Sequence, residues 1–137
     1  FFMSIPQSVQ LILSTMPLMN NGEIFILKMS SCKISTLAES FLELYGFPAE
    51  QYEVIGTREG EKFHEELLFA NEAGFLLENE QYFLKLPLQF NSPDFTPYEQ
   101  AGFIRSQRSN FISNDERYLL NKEQVKGILG SYLKKNE

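Results

Sequence analysis

The chain has 137 residues, 12 basic and 18 acidic, a net charge of −6, and 43% hydrophobic residues that include 13 Phe and 6 Tyr. This composition suits one ordinary domain with a packed core and not a disordered acidic tail. A single Cys and a single His exclude an internal disulfide framework and a Cys/His zinc cluster, and the acidic balance argues against a broad basic face for nucleic acid. No apolar run approaches the ~20 residues of a membrane helix, and no charged, apolar leader opens the chain. The first residue, Phe1, stands in mid-pattern without an initiator Met, so the sequence reads as a piece of something longer.

Ser4, Pro6 and Gln7 predict a helix start with a capping box, followed by an apolar stripe of Val9, Ile12, Leu13 and Met16 that stops at Pro17. Asn20-Asn21-Gly22 predicts a turn, and Glu23 to Lys28 (EIFILK) a strand. Ser35 or Thr36, the latter with Glu39, predicts the cap of a second helix. Its inner face would be Leu37, Phe41, Leu42 and Leu44, with Gly46 as its stop. Tyr52 to Gly56 alternates like a short strand, and Thr57 to Leu68 reads as a polar loop ending in a short amphipathic helix. Phe75 to Leu77 and Tyr82 to Leu86 predict strands. Gln89 to Gly102 predicts a long loop packed down by Phe90, Phe95, Tyr98 and the adjacent Phe103. Asn121 and Gln124 open a last helix with Val125, Ile128, Leu129 and Leu133 on its apolar face and Lys134-Lys135 at its end. This order predicts a small α/β or α+β layer.

The eight glycines never make G-x-G-x-x-G, and Gly56 to Phe63 (GTREGEKF) fails the P-loop spacing and puts Glu61 in the lysine position. Tyr118 and Lys122 match Y-x-x-x-K by chance, since they straddle a helix boundary. His64, beside Glu61, Glu65 and Glu66, offers a general base, but a lone His on a charged short helix is more often a structural hydrogen-bonder. The same three glutamates suit a solvated face better than a cation site. Cys32 lies beside Lys33 without a supporting His, so it reads as an idle thiol.

The strongest constellation is Thr57-Arg58-Glu59-Gly60-Glu61-Lys62. Gly60 allows a tight turn between an Arg fork that can grip a diphosphate and a carboxylate that can accept from the vicinal hydroxyls of a ribose. On composition alone an ordinary charged turn is the simpler reading.

Thr57 to Leu68 (TREGEKFHEELL) is similar to the Arg-Pro-Gly-Glu-Lys-Leu-His-Glu-Glu motif of bacterial polysaccharide biosynthesis proteins. These are extended short-chain dehydrogenases/reductases, the nucleotide-sugar 4,6-dehydratases and epimerases. Phe1 to Leu13 (FFMSIPQSVQLIL) and Gly22 to Phe41 (GEIFILKMSSCKISTLAESF) resemble the family's neighbouring segments. Arg108 to Leu129 (RSNFISNDERYLLNKEQVKGIL) resembles the tail of its capsular branch, so residues 104–137 are expected to form a C-terminal tail and helix.

The resemblance implies that residues 1–137 are a single C-terminal domain that holds a UDP-sugar, UDP-N-acetylglucosamine among the candidates. An N-terminal Rossmann domain of the same protein would bind NAD(P), and no metal is implied. By resemblance Arg58 contacts the pyrophosphate, Gly60 makes the turn, Glu61 takes the uridine ribose, and Lys28 borders the pocket. Glu59 stands where the family often has Pro, and Ser30 where Pro is common. The fragment alone is expected to be inactive and the parent enzyme cytoplasmic, with self-association as a homo-oligomer expected through apolar surface left uncovered. The competing reading is a free-standing non-catalytic module that binds nucleotide-sugars or a partner protein.

Overall fold

The computed structural model describes residues 1–20, 22–48, 51–70, 75–87 and 93–133, without the side chain of Leu133. The expected roles of Asn21, Phe90, Leu133, Lys134 and Lys135 lie outside the described residues. The fold is α+β, and every strand pair is antiparallel. The chain forms two compact units that share it in alternating pieces. A helical unit holds Phe1, Ser30–Glu65 and Ser113–Glu137, and a sheet unit holds Phe2–Met29 and Glu66–Ile112.

The sheet unit begins with α1 (Ile5–Thr15), opened by the expected capping box: Gln7 N–H donates to Ser4 Oγ, and Ser4 N–H to Gln7 Oε1. Pro17 does not end the chain's winding at once, because Met16–Leu18 continues as a 3₁₀ turn. The apolar stripe of this helix is exposed: Val9, Ile12, Leu13 and Met16 all stand out. Thr15 is buried instead, and Leu11 and Leu18 touch the core. Serine and threonine on this face satisfy themselves on the helix backbone, Thr15 Oγ1 donating to Leu11 C=O at 2.7 Å. They therefore pack without an unpaired hydroxyl.

Four strands lie in the order β1 (Ile24–Leu27), β4 (Tyr82–Leu86), β3 (Phe75–Glu78) and β5 (Ile104–Arg105). Alternation along the central strand β4 assigns its two faces. Tyr82, Leu84 and Leu86 join Leu77, Tyr98 and Phe103 in the main core. Phe83 points the other way, fully buried, with its ring centroid 5.2 Å from that of Phe111. The β3–β4 turn is held by Asn79, whose Oδ1 accepts from the N–H groups of Gln81 and Tyr82.

The expected long loop contains a short helix, α3 (Thr96–Gln100), with Pro97 in its first turn. Its Tyr98 is buried and donates its hydroxyl to Glu23 Oε1 at 2.6 Å. Burial and that carboxylate push the Tyr98 hydroxyl well above its usual range.

Residues 64–68 do not form the expected helix. Glu66–Leu68 is a strand, β2, paired with β6 (Phe111–Ile112). Leu68 and Phe111 are both fully buried, so pairing with a distant segment overrides the local helical pattern.

In the helical unit, α2 (Ile34–Tyr45) packs on α4 (Lys122–Leu133). Neither Ser35 nor Thr36 caps α2, whose N-cap is Lys33 without a side-chain bond. Ser31 pairs with the far segment through Ser31 N–H to Tyr118 C=O and Leu120 N–H to Ser31 C=O. The chain then turns directly into helix at Ile34. Phe41 and Leu44 are exposed, whereas Ser40 is fully buried and donates to Thr36 C=O at 2.6 Å. Lys122 and Lys126 bridge to Glu39 and Glu43 across the pair.

Gly46 stops α2 as expected, at φ +71°, with a Schellman pair of bonds from Gly46 N–H to Glu43 C=O and Phe47 N–H to Leu42 C=O. The α4 cap also forms, Asn121 and Gln124 exchanging side-chain-to-backbone bonds. Residues 52–56 form no strand, and Val54 and Ile55 are 82% and 72% exposed. Their alternation has no partner strand to pair with among the described residues.

Candidate functional site

Arg58, Glu59, Gly60 and Glu61 form an exposed four-residue turn in the helical unit. Glu61 N–H donates to Arg58 C=O at 3.1 Å, and Gly60 sits third in the turn at φ +87°. Among the described residues no non-glycine has positive φ, so the turn is of the type II pattern, with glycine where left-handed backbone is required. A Cβ on Gly60 would meet nothing within 4 Å, so conformation and not space demands the glycine. The second position of this turn type favours proline, which explains the Pro seen in the resembling motif. Glu59 occupies that position here and keeps the same turn.

A second bond closes the turn. Arg58 N–H donates to Glu61 Oε2 at 2.9 Å. The two end residues thus exchange two hydrogen bonds, one of them charge-assisted. Among the described residues the Arg58 guanidinium makes no ion pair. His64, three positions on, is exposed and lies in a bend, not on a helix. Glu65 and Glu66 belong to the strand region, where Glu65 N–H donates to Ser113 Oγ, so the three glutamates do not form a helical face. Burial pushes the Cys32 thiol up, which leaves it a poor nucleophile. Tyr118 and Lys122 serve structural ends, Tyr118 through its carbonyl to Ser31 and Lys122 through its bridges to Glu39 and Glu43.

Lys28 belongs to the sheet unit. Its register explains its surroundings. Ile26 pairs with Phe83, and Phe83 pairs with Glu78, so period-two alternation puts Ile26, Lys28, Phe83 and Glu78 on one face. Lys28 Nζ donates to Glu78 Oε2 at 2.6 Å and to Asn79 C=O, and lies 4.6 Å from the Phe83 ring centroid. Ser106 Oγ donates to Glu78 Oε1 at 2.6 Å, and the Arg108 guanidinium stands 5.5 Å from the same ring. Two of the three ammonium donors are thereby used. The sequence reading missed this network, because Glu78, Ser106 and Arg108 reach Lys28 only through strand register.

Burial pushes the Glu78 carboxyl up. The hydrogen bonds from Lys28 and Ser106 and the charges of Lys28 and Arg108 outweigh it and hold the carboxyl below its ordinary value. A lowered folded value means that Glu78 contributes stability above the unfolded carboxyl range, near ~4.3, and that this is lost as pH falls through the folded value. The urea midpoint should therefore hold from neutrality to about pH 5 and fall below about pH 4. Glu78→Gln should make that acid decline shallower, and an unchanged pH profile in the variant would count against the assignment.

No described helix is long and apolar enough to cross a membrane. The glycines fit no glycine-rich dinucleotide turn, so these residues do not match an NAD(P) grip of that kind.

Residues 1–86 match the profile of the family described as "Polysaccharide biosynthesis protein". A Methanocaldococcus jannaschii protein described as an uncharacterized membrane protein is 38% identical over 94% of this chain and 37% of its own length. An inverting UDP-N-acetylglucosamine 4,6-dehydratase of Campylobacter jejuni is 34% identical over 64% of this chain and 25% of its own. A UDP-glucose 4-epimerase of Rickettsia rickettsii is 28% identical over 94% of this chain and 37% of its own. The chain thus spans only a quarter to somewhat over a third of these relatives. The crystal structure of Pen from Bacillus thuringiensis superposes with a TM-score of 0.78 at 23% identity, covering 97% of this chain and 38% of that one, a likeness of fold. With more than half its residues matched by the family profile, the chain belongs to the polysaccharide biosynthesis protein family.

Proposed function

We propose that this chain is the UDP-sugar-binding part of a nucleotide-sugar 4,6-dehydratase or epimerase serving capsule or O-antigen polysaccharide synthesis. The observation that carries the reading is the Arg58–Glu61 turn. It is a doubly bonded, exposed turn whose Arg fork makes no ion pair among the described residues and whose carboxylate stands at the other end. Arg58 grips the diphosphate, Gly60 supplies the backbone freedom, and Glu61 accepts from the ribose.

NAD(P), held by an N-terminal Rossmann domain adjoining this chain, supplies the hydride chemistry. This chain's residues hold the nucleotide, and the isolated chain is inactive. The apolar stripe exposed on α1 is surface that such a domain, or a second copy in a homo-oligomer, would cover. The same reading extends to a cytoplasmic location. Of the two reactions, epimerisation is favoured by the Rickettsia epimerase matching 94% of the chain, tail included, where the Campylobacter dehydratase matches 64%.

Calorimetric titration with UDP tests the clamp. Arg58→Ala should weaken binding by about ten- to a hundredfold, the worth of a charge-assisted bidentate contact. Equal affinities in wild type and variant would remove Arg58 from the site. They would favour a non-catalytic module that works through its exposed aromatics.

A further inference from the structure

We propose that Glu61 is a positioning residue for Arg58: its Oε2 accepts from Arg58 N–H and locks the turn that presents the guanidinium, leaving Oε1 for a ribose hydroxyl. The inference rests on the UDP reading above and deepens it. A bidentate ribose contact alone would leave both carboxylate oxygens open for the ligand, yet one of them already holds Arg58 N–H at 2.9 Å. The turn is exposed, and its third residue is a glycine, so one backbone bond restrains it weakly against chain entropy. The side-chain bond closes it from the opposite end. The residue that meets the sugar and the residue that meets the diphosphate are therefore one mechanical piece. Filling the ribose subsite and orienting the Arg fork become coupled events.

Two variants separate this role from direct contact. Glu61→Gln keeps an acceptor oxygen for Arg58 N–H, and Glu61→Ala removes it. Both delete the same charge, so their difference is free of the carboxylate's repulsion toward an anion. Inorganic pyrophosphate has no ribose, and a purely ribose-binding Glu61 would make the two variants equal toward it. The positioning role predicts that the full 137-residue chain carrying Glu61→Ala binds pyrophosphate about three- to tenfold more weakly than Glu61→Gln. Equal affinities overturn it.

A spectroscopic arm stands apart from ligand binding. The Arg58 backbone amide should exchange its hydrogen with solvent about three- to tenfold faster in Glu61→Ala than in Glu61→Gln, which keeps an acceptor for it. Equal exchange rates in the two variants overturn the brace. Absence of heat with both UDP and pyrophosphate in the wild type overturns the nucleotide reading, while the amide exchange still decides whether residue 61 braces the turn.

Discussion

Phe83→Ala should cost about 3–5 kcal/mol, the range for removing a buried aromatic ring, and should shift the urea midpoint by about 2 M for a chain of this size. The ring is fully buried on the central strand, flanked in register by Ile26 and Glu78. It packs on Phe111 at an interplanar angle of 54° and lies beneath the cations of Lys28 and Arg108. Truncation leaves a cavity lined by a second aromatic ring and takes away the π face from two partly buried charges. Against a total stability of about 5–15 kcal/mol, that is a large share of what holds the fold. Phe63→Ala supplies the contrast. That ring is 84% exposed, and its loss should change the stability by no more than about 0.5 kcal/mol. Similar losses from both would mean that Phe83 is not a core residue.

Glu78→Ala is the second large effect. Lys28 keeps only 11% side-chain exposure and Glu78 21%. Removing the carboxylate strands an ammonium with one carbonyl partner and takes the acceptor from the Ser106 hydroxyl, which keeps only its bond from Arg108 N–H. A fully buried broken pair costs about 3–5 kcal/mol. The residual exposure of Glu78 reduces this to about 2–3 kcal/mol. Replacing both ends, as Lys28→Met with Glu78→Leu, should recover most of the loss, because no charge is left unpaired. A double-mutant cycle by urea unfolding reads the coupling directly. Simple additivity of the two single changes would mean that the ion pair is an onlooker to stability.

The parts of this fold that were legible in the sequence are those fixed by near neighbours. The Ser4/Gln7 and Asn121/Gln124 caps, the Gly46 stop and the β3–β4 hairpin each depend on residues within a few positions of one another. The Arg58–Gly60 turn is legible for the same reason, since a glycine's positive φ is a local property. What failed depends on distance along the chain. Leu67-Leu68 looks helical until it is paired with Phe111-Ile112, and Tyr52 to Gly56 looks like a strand although no partner reaches it among the described residues. The start of α2 moved to Ile34 because Ser31 is tied to Tyr118 and Leu120. The apolar stripe of α1 did not reveal which side meets the core, because contact fell on Thr15 and Leu11 instead. The Lys28 network was hidden because register, not spacing, brings Glu78 and Ser106 to it. The Glu61 brace escaped notice because a carboxylate at that position reads equally as a ligand to solvent or substrate.

The alternating division of the chain has a kinetic meaning. The helical unit is assembled from Ser30–Glu65 and Ser113–Glu137, and the sheet unit from Phe2–Met29 and Glu66–Ile112. Neither is a contiguous stretch, so neither can be cut out of the gene, and a truncation at residue 86, where the family profile ends, would break both. Closing Ser31 onto Leu119, or α2 onto α4, must wait until distant residues meet. Contacts of that sequence separation raise the contact order and slow folding. On a ribosome, α2 emerges long before α4 exists to receive it, so the packing of this helix pair comes late in synthesis.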